Sequence, residues 1–383
     1  MSTYSFKIAH KLLTGAVAIE QLAAELTRLD VDNPLIVTDA ALVQSGTVAL
    51  ALEHLGDRPY EIFDRVLPDP EIAIVEDCMH AYRDGGHDGL IGVGGGSAID
   101  VAKIMAVLLA HNYKLRDVLS KKVEITARGL PNIMVPTTSG TGAEATPNSI
   151  ILVPEDELKI GIVSPRLLPD AVILDPLLSV SLPPAVTAST GMDALTHAIE
   201  CYCSKKGNAF SDLYALESIR LIARSIRTAV KDGQNIAART DMLMGAYWGG
   251  VCIATSSTTA VHALAYPLGG KYRMAHGLSN AILLPSVMAF NQVGCEARFA
   301  AMARAMDLPV VGLSDHDAAA AFVQALHQLN TDLNIPNNLK SLGIQTQDLD
   351  GLVEGASKVT RLLDNNPRTM TRDDMRTIYA ALI

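Results

Sequence analysis

Aromatic side chains are scarce in this chain. Six Phe, ten Tyr and a single Trp make up 4% of its 383 residues, although 49% of them are hydrophobic. The apolar content is therefore aliphatic, which suits α/β and all-helical packing better than a β-sandwich. Long apolar runs are missing as well. The stretch IMAVLLA, Ile104 to Ala110, falls far short of the roughly 20 residues that span a bilayer, so a mean hydropathy of +0.23 reads as a large core. The first residues, MSTYSFKIAHKLLTG, lack the apolar segment and small-residue cleavage site of a signal peptide, and a cytoplasmic protein is expected.

Basic clusters are absent beyond the pairs Lys121–Lys122 and Lys205–Lys206, and the formal net charge is −10. Nucleic acid and anionic membrane surfaces both require a basic patch, so neither is expected as a partner, and a small molecule is. The five cysteines, Cys78, Cys201, Cys203, Cys252 and Cys295, form no Cys-x-x-Cys pair. They read as reduced thiols packed like small apolar side chains.

The length favours two domains, and the two halves have different patterns. Up to about residue 180, short β-rich runs alternate with amphipathic helices: PLIVTD (34–39), PYEIFDRV (59–66), GLIGVG (89–94), NIMVPTT (132–138) and DAVILDP (170–176). That alternation predicts a parallel sheet covered by helices. Beyond Pro183–Pro184 the strand signals vanish into long helical runs, and successive prolines continue neither element. An α/β domain over 1–182 and an all-helical domain over 183–383 follow.

In the first half, GVGGGSAIDVAK (92–103) runs a strand through three glycines into a helix. Gly95 and Gly96 let backbone approach a phosphate, and Ser97 opens the helix with amide hydrogens free for an anion. This is neither the Gly-x-Gly-x-x-Gly fingerprint nor a P-loop. PTTSGTGAEAT (136–146) is a second hydroxyl-rich loop at a strand's C-terminal end, where open parallel sheets bind ligands. Its Thr and Ser residues also satisfy their own backbone in an ordinary turn. Asp39 closes the strand PLIVTD, and its carboxylate suits a ribose diol, favouring NAD over NADP, or equally a helix N-cap.

In the second half, GMDALTHAIE (191–200) places Asp193 and His197 four apart on one helical face. His262 and His276 stand in TTAVHALAYPLGGKYRMAHGLSNAI (258–282). One carboxylate and three imidazoles would suit iron(II) or zinc(II) with a position left for substrate. A lone histidine on an apolar helix is more often a hydrogen-bonded core residue.

These residues resemble the iron-dependent (group III) alcohol dehydrogenases, among them the lactaldehyde and propanediol reductases. The shared motifs are GGGSAID (94–100), PTTSGTGAE (136–144), GMDALTHAIE (191–200), HALAYPLGG (262–270), AHGLSN (275–280) and NNPR (365–368). The resemblance implies a dinucleotide-binding α/β domain followed by an all-helical domain, the architecture shared with dehydroquinate synthase, with the active site in the cleft between them. It implies Asp193, His197, His262 and His276 as metal ligands, for iron(II) or alternatively zinc(II). It implies NAD held by Asp39, Gly95, Gly96, Ser97, Asp100, Thr137, Thr138, Thr141 and Lys159. His262, Tyr266 and Lys159 become the residues nearest the chemistry, Asn148, Arg361 and Leu362 the substrate pocket, and a homodimer the expected assembly.

Two positions depart from that pattern. Tyr266 stands where a second histidine, four residues after the third ligand, is thought to pass protons, and a phenol near pKa 10 exchanges them less readily. Asp69 in LPDP (67–70) replaces a frequent asparagine, and a carboxylate beside a diphosphate is unfavourable. The expected activity is metal-assisted hydride transfer between a small alcohol and its aldehyde or ketone. Arg361 and Arg273 are candidates to hold a carboxylate, which would make the substrate a hydroxy or semialdehyde acid. A hydroxyacid–oxoacid transhydrogenase, a hydroxy-acid dehydrogenase, a lyase resembling dehydroquinate synthase and a non-enzymatic helical binding module are the rival readings.

Overall fold

The computed structural model describes residues 6–156 and 158–383. The chain divides into two compact units, one of Lys7–Leu182 with Gln234–Leu243, the other of Phe6, Pro183–Gly233 and Met244–Ile383. The excursion of Gln234–Leu243 into the first unit departs from a single crossing at Pro183. Its anchor is Arg239, 1% exposed, which donates to the Leu182 carbonyl at 3.4 Å.

The first unit contains strands β1 (Leu12–Thr14), β2 (Pro34–Val37), β3 (Glu61–Phe63), β4 (Gly89–Gly94), β5 (Asn132–Pro136), β6 (Asn148–Val153), β7 (Leu158–Val163) and β8 (Ala171–Leu174). Six of them form one parallel sheet in the order β1-β8-β5-β4-β2-β3. The central strands β2, β4 and β5 are buried at every position. Helices on both faces impose that, which is why these strands are continuous apolar runs rather than alternations. Ile36, Ile91, Val93, Ile133, Val135 and Ile173 build the core with Leu22, Leu26 and Leu55. Two features escape the sequence pattern: the three-residue edge strand β1, and the antiparallel hairpin β6–β7, where burial alternates along β6 but residue type does not.

The helix Gly96–His111 carries a buried ionic group behind the glycine turn. Lys103, 1% exposed, donates to the carbonyls of Ala143 (2.6 Å) and Thr146 (3.1 Å) and lies 3.3 Å from Asp100 Oδ1. Asp100 Oδ2 accepts the Ile150 N–H at 3.0 Å. The segment 143–150 is thereby tied to the helix. Lys103→Met would strand the Asp100 carboxylate in the interior and is expected to destabilise the protein by about 3–5 kcal/mol, seen as a lowered denaturation midpoint.

Glu144, 3% exposed, belongs to the same group, and burial pushes its pKa up from 4.5 to about 7. An acid whose folded pKa exceeds its unfolded value makes stability fall as pH rises through that interval. The melting temperature should therefore drop between pH 5 and pH 7 more steeply in the natural protein than in Glu144→Gln. Identical pH profiles for the two would refute this.

The second unit has no strand among its described residues, and its helices include Pro184–Cys203, Ala209–Lys231, Ala260–Tyr272 and His276–Asn291. Pro184 opens the first of these at a position that needs no N–H partner. The helices Ala260–Tyr272 and His276–Asn291 both pack against Pro184–Cys203 and against each other. All five cysteines are free thiols, four of them fully buried, and burial raises the pKa of every one.

Candidate functional site

Asp193 and His197 lie one turn apart on the helix Pro184–Cys203, and Glu200 follows on the same face. They are 2%, 5% and 0% exposed. His262 comes from the helix Ala260–Tyr272, and His276 is the first residue of the helix His276–Asn291. The ligand atoms of Asp193, His197, His262 and His276 all lie within 4.8 Å of one another. Asp193 Oδ1 is 3.9 Å from His197 Nε2, 3.9 Å from His262 Nε2 and 3.7 Å from His276 Nε2.

The surroundings orient these groups. His262 Nδ1 donates to Glu200 Oε2 at 2.5 Å, which leaves the Nε2 lone pair for the centre. Glu200 also accepts from Thr259 Oγ1 and from the Val261 N–H, both at 2.7 Å. Asn280, one turn after His276, donates to Asp193 Oδ1 at 2.7 Å and lies 3.1 Å from His262 Nε2 and 3.3 Å from His276 Nε2.

Burial pushes the His197 pKa down to about 4, so its imidazole is neutral at neutral pH. Burial also works to lower that of His262, but the Glu200 and Asp193 carboxylates together more than offset it. For Asp193, burial acts upward and is more than offset by His197, His276, His262 and Asn280.

This donor set fits a divalent cation. Two buried carboxylates, Asp193 and Glu200, have no lysine or arginine paired with either among the described residues. Of the basic side chains, only histidines face their negative charge, and imidazoles with one carboxylate are ligands for iron(II) or zinc(II). Glu200 is placed to hold His262, a candidate ligand, in one tautomer. Glu200→Gln is expected to weaken metal binding by about 10–100-fold with the helices intact, measured by competition with a chelator.

Neither Glu200 nor Asn280 was singled out by the sequence. Both stand in quoted motifs at helical spacing from ligands, at Asp193+7 and His276+4, and that spacing was the available signal.

In the sheet-bearing unit, Asp39, Gly95, Gly96, Ser97, Thr137, Thr138 and Thr141 follow the C-terminal ends of strands β2, β4 and β5, while Asp100 lies within the helix Gly96–His111 and Lys159 within β7. Asp39 N-caps the helix that follows β2, accepting the Leu42 N–H at 3.0 Å. A Cβ on Gly95 would lie 3.5 Å from Thr138 Oγ1, and one on Gly96 would lie 2.7 Å from Thr141 Oγ1. Only glycine at 96 lets the two loops approach so closely. Thr137 is fully buried, while Ser97 and Thr138 are partly open.

Asp100 and Lys159 both have protein partners. Asp100 is held by Lys103 and Ile150, and Lys159 Nζ pairs with Asp69 Oδ1 at 2.6 Å. Asp69, in the left-handed region at φ 55°, thus brings its own cation. Asn148 begins β6 and is half-buried.

Of the remaining pocket candidates, Leu362 is 1% exposed and Arg361 is exposed. Arg273 caps the end of the helix Ala260–Tyr272 at φ 52°, also exposed. Tyr266 follows His262 by one turn, and burial raises its pKa above the usual 10.

Two family models cover nearly the whole chain: "Iron-containing alcohol dehydrogenase" over residues 9–176 and "Fe-containing alcohol dehydrogenase family, C-terminal" over 187–383. The chain is 40% identical over 371 residues to long-chain-alcohol dehydrogenase 1 of Geobacillus thermodenitrificans, covering 96% of this chain and 93% of that one. Among solved structures, it is similar to a 1,3-propanediol oxidoreductase at a TM-score of 0.95 and 35% identity, with 100% of each chain covered. It is also similar to sulfoacetaldehyde reductase from Bifidobacterium kashiwanohense in complex with NAD+, at a TM-score of 0.90 and 27% identity, over 100% of this chain and 99% of the other.

Proposed function

The chain belongs to the iron-containing alcohol dehydrogenase family, and on that premise we propose that it interconverts a small alcohol and its aldehyde or ketone with NAD(H) as the redox partner. The observation that carries this reading is the convergence of Asp193, His197, His262 and His276 from three helices, with Glu200 holding His262 from outside.

Iron(II), or zinc(II) in its place, supplies when bound a Lewis acid that favours the alkoxide form of an alcohol and polarises a carbonyl. NAD(H) supplies the acceptor or donor of the hydride. The relative solved with NAD+ supports that cofactor.

The residues of this chain divide the remaining work. Gly95 and Gly96 admit a diphosphate to the start of the helix Gly96–His111, and Ser97, Thr137, Thr138 and Thr141 line its approach. Asp39 gives one carboxylate oxygen to Leu42 and keeps the other for a ribose diol, an arrangement that disfavours a 2′-phosphate. Asp100 acts from beneath, through Lys103, on the loop that carries the threonines. Lys159 reaches the diphosphate only as part of an ion pair with Asp69. Tyr266 stays protonated at neutral pH, so it orients substrate by hydrogen bonding while the reaction's proton leaves through water or the ribose hydroxyls.

No helix among the described residues is long and apolar enough to cross a membrane. A cytoplasmic homodimer is the form expected from the resemblance, and sedimentation of the purified protein checks the dimer.

The reading is tested on anaerobically purified protein by a metal assay combined with NADH oxidation over short aldehydes, ketones and keto acids. One divalent ion per chain and NADH oxidation that is lost on chelation and restored by iron(II) are expected. Protein that binds no divalent metal would defeat the reading. Turnover only when a hydroxy acid and a keto acid are supplied together would replace it with a transhydrogenase.

A further inference from the structure

The one-turn helix Thr360–Leu363 packs against the helix Ala260–Tyr272, which carries the ligand His262. Arg361 on that turn interacts with the Tyr266 hydroxyl, and its charge acts on the His262 ring.

The backbone under Arg361 is fixed from behind. Asn365 Nδ2 donates to the Arg361 carbonyl at 2.8 Å, and the Lys205 N–H donates to the Asn365 carbonyl at 2.9 Å. Next to it, Asn366 and Asn291, both fully buried, exchange amide hydrogen bonds at 2.8 and 2.9 Å. Leu362 is buried beside them.

Among the described residues, the guanidinium makes no ion pair in this scaffold. Arg227, Arg298, Arg372 and Arg376 each rest on an aspartate or glutamate. Arg361 has no carboxylate partner among the described residues, only the Tyr266 phenol. In a chain of net charge −10, acids to pair with it are plentiful. A fixed positive charge beside a cation-binding centre is also unfavourable by simple repulsion unless an anion comes between them.

We propose that Arg361, with the Tyr266 hydroxyl beside it, is a recognition site for a substrate carboxylate, so that the reaction at the metal centre acts on an aldehyde or keto acid and the matching hydroxy acid. The proposal rests on the oxidoreductase reading above and names its substrate class. The planar guanidinium offers two parallel N–H donors to a carboxylate, and the phenol adds a third. A lysine in its place would keep the charge and lose the fork.

The test compares succinic semialdehyde with butanal, matched in chain length, using the metal-loaded enzyme and NADH. The natural protein is expected to favour the acid by at least about tenfold in kcat/KM. Arg361→Gln should lower that preference about 100-fold, mainly through KM, and Arg361→Lys should recover part of it. Tyr266→Phe should lower it by about fivefold.

A natural protein that prefers butanal, or an unchanged preference in Arg361→Gln, overturns the proposal. If neither aldehyde is turned over, the oxidoreductase reading is what fails, and calorimetric titration with succinate then decides the anion site by itself. Binding to the natural protein that disappears in Arg361→Gln supports the site, while equal binding, or none to either, overturns it.

Discussion

His262→Ala is expected to lower kcat/KM by at least about a thousandfold and to yield protein that no longer retains iron or zinc at one ion per chain. The size follows from what the side chain does. A Lewis-acid metal contributes several kcal/mol to the stabilisation of developing charge, and each 1.36 kcal/mol is a factor of ten in rate.

His262 sits between the ligand atoms and Glu200, whose carboxylate accepts its Nδ1 proton at 2.5 Å. Its removal takes one imidazole from the centre and leaves a fully buried carboxylate with only Thr259 and Val261 as donors. Circular dichroism and a denaturation curve separate this from unfolding. A folded variant that keeps activity within tenfold of the natural protein would show that the centre is not where the chemistry occurs.

Gly277→Ala should be nearly as damaging, although the glycine bears no functional group. A Cβ at 277 would lie 2.3 Å from the Ser189 carbonyl oxygen and 3.2 Å from Asp193 Cβ. The nearest obstacle is helix backbone, which cannot rotate aside as a side chain can, so the start of the helix His276–Asn291 must move away from the helix Pro184–Cys203. His276 is the adjacent residue and moves with it. We expect metal affinity to fall at least about 100-fold, since ligand placement to within a few tenths of an ångström is what the site requires. Metal content after dialysis against a weak chelator measures this, and retention equal to that of the natural protein would contradict it.

Physical pattern explains which parts of the molecule were readable in its sequence. The strands PLIV, GLIGVG and NIMVP are buried on both faces, so they appear as uninterrupted apolar runs that no surface element imitates. β1, with three residues at the sheet edge, and the β6–β7 hairpin leave no such signature.

At the metal centre, Asp193 and His197 were legible as a pair because one helix fixes their spacing. Nothing local says that His262 and His276 meet them, since helical periodicity does not encode which helices pack together. That step came from the resemblance between whole motifs. Glu200 was overlooked because a glutamate on a helix ordinarily faces water, and only tertiary packing shows this one to be fully enclosed. At Asp39 the helix cap is the contact that the structure displays.

The thiols bear on how the enzyme would age. Each of the five cysteines has its pKa raised by burial, and none is paired in a disulfide. Thiolate is the form that oxidants and alkylating agents attack, so these sulfurs are poor targets at neutral pH. Activity lost on exposure to air is therefore not expected to come from these thiols. Iron(II) without any thiol reductant should bring it back, and iodoacetamide should leave it untouched.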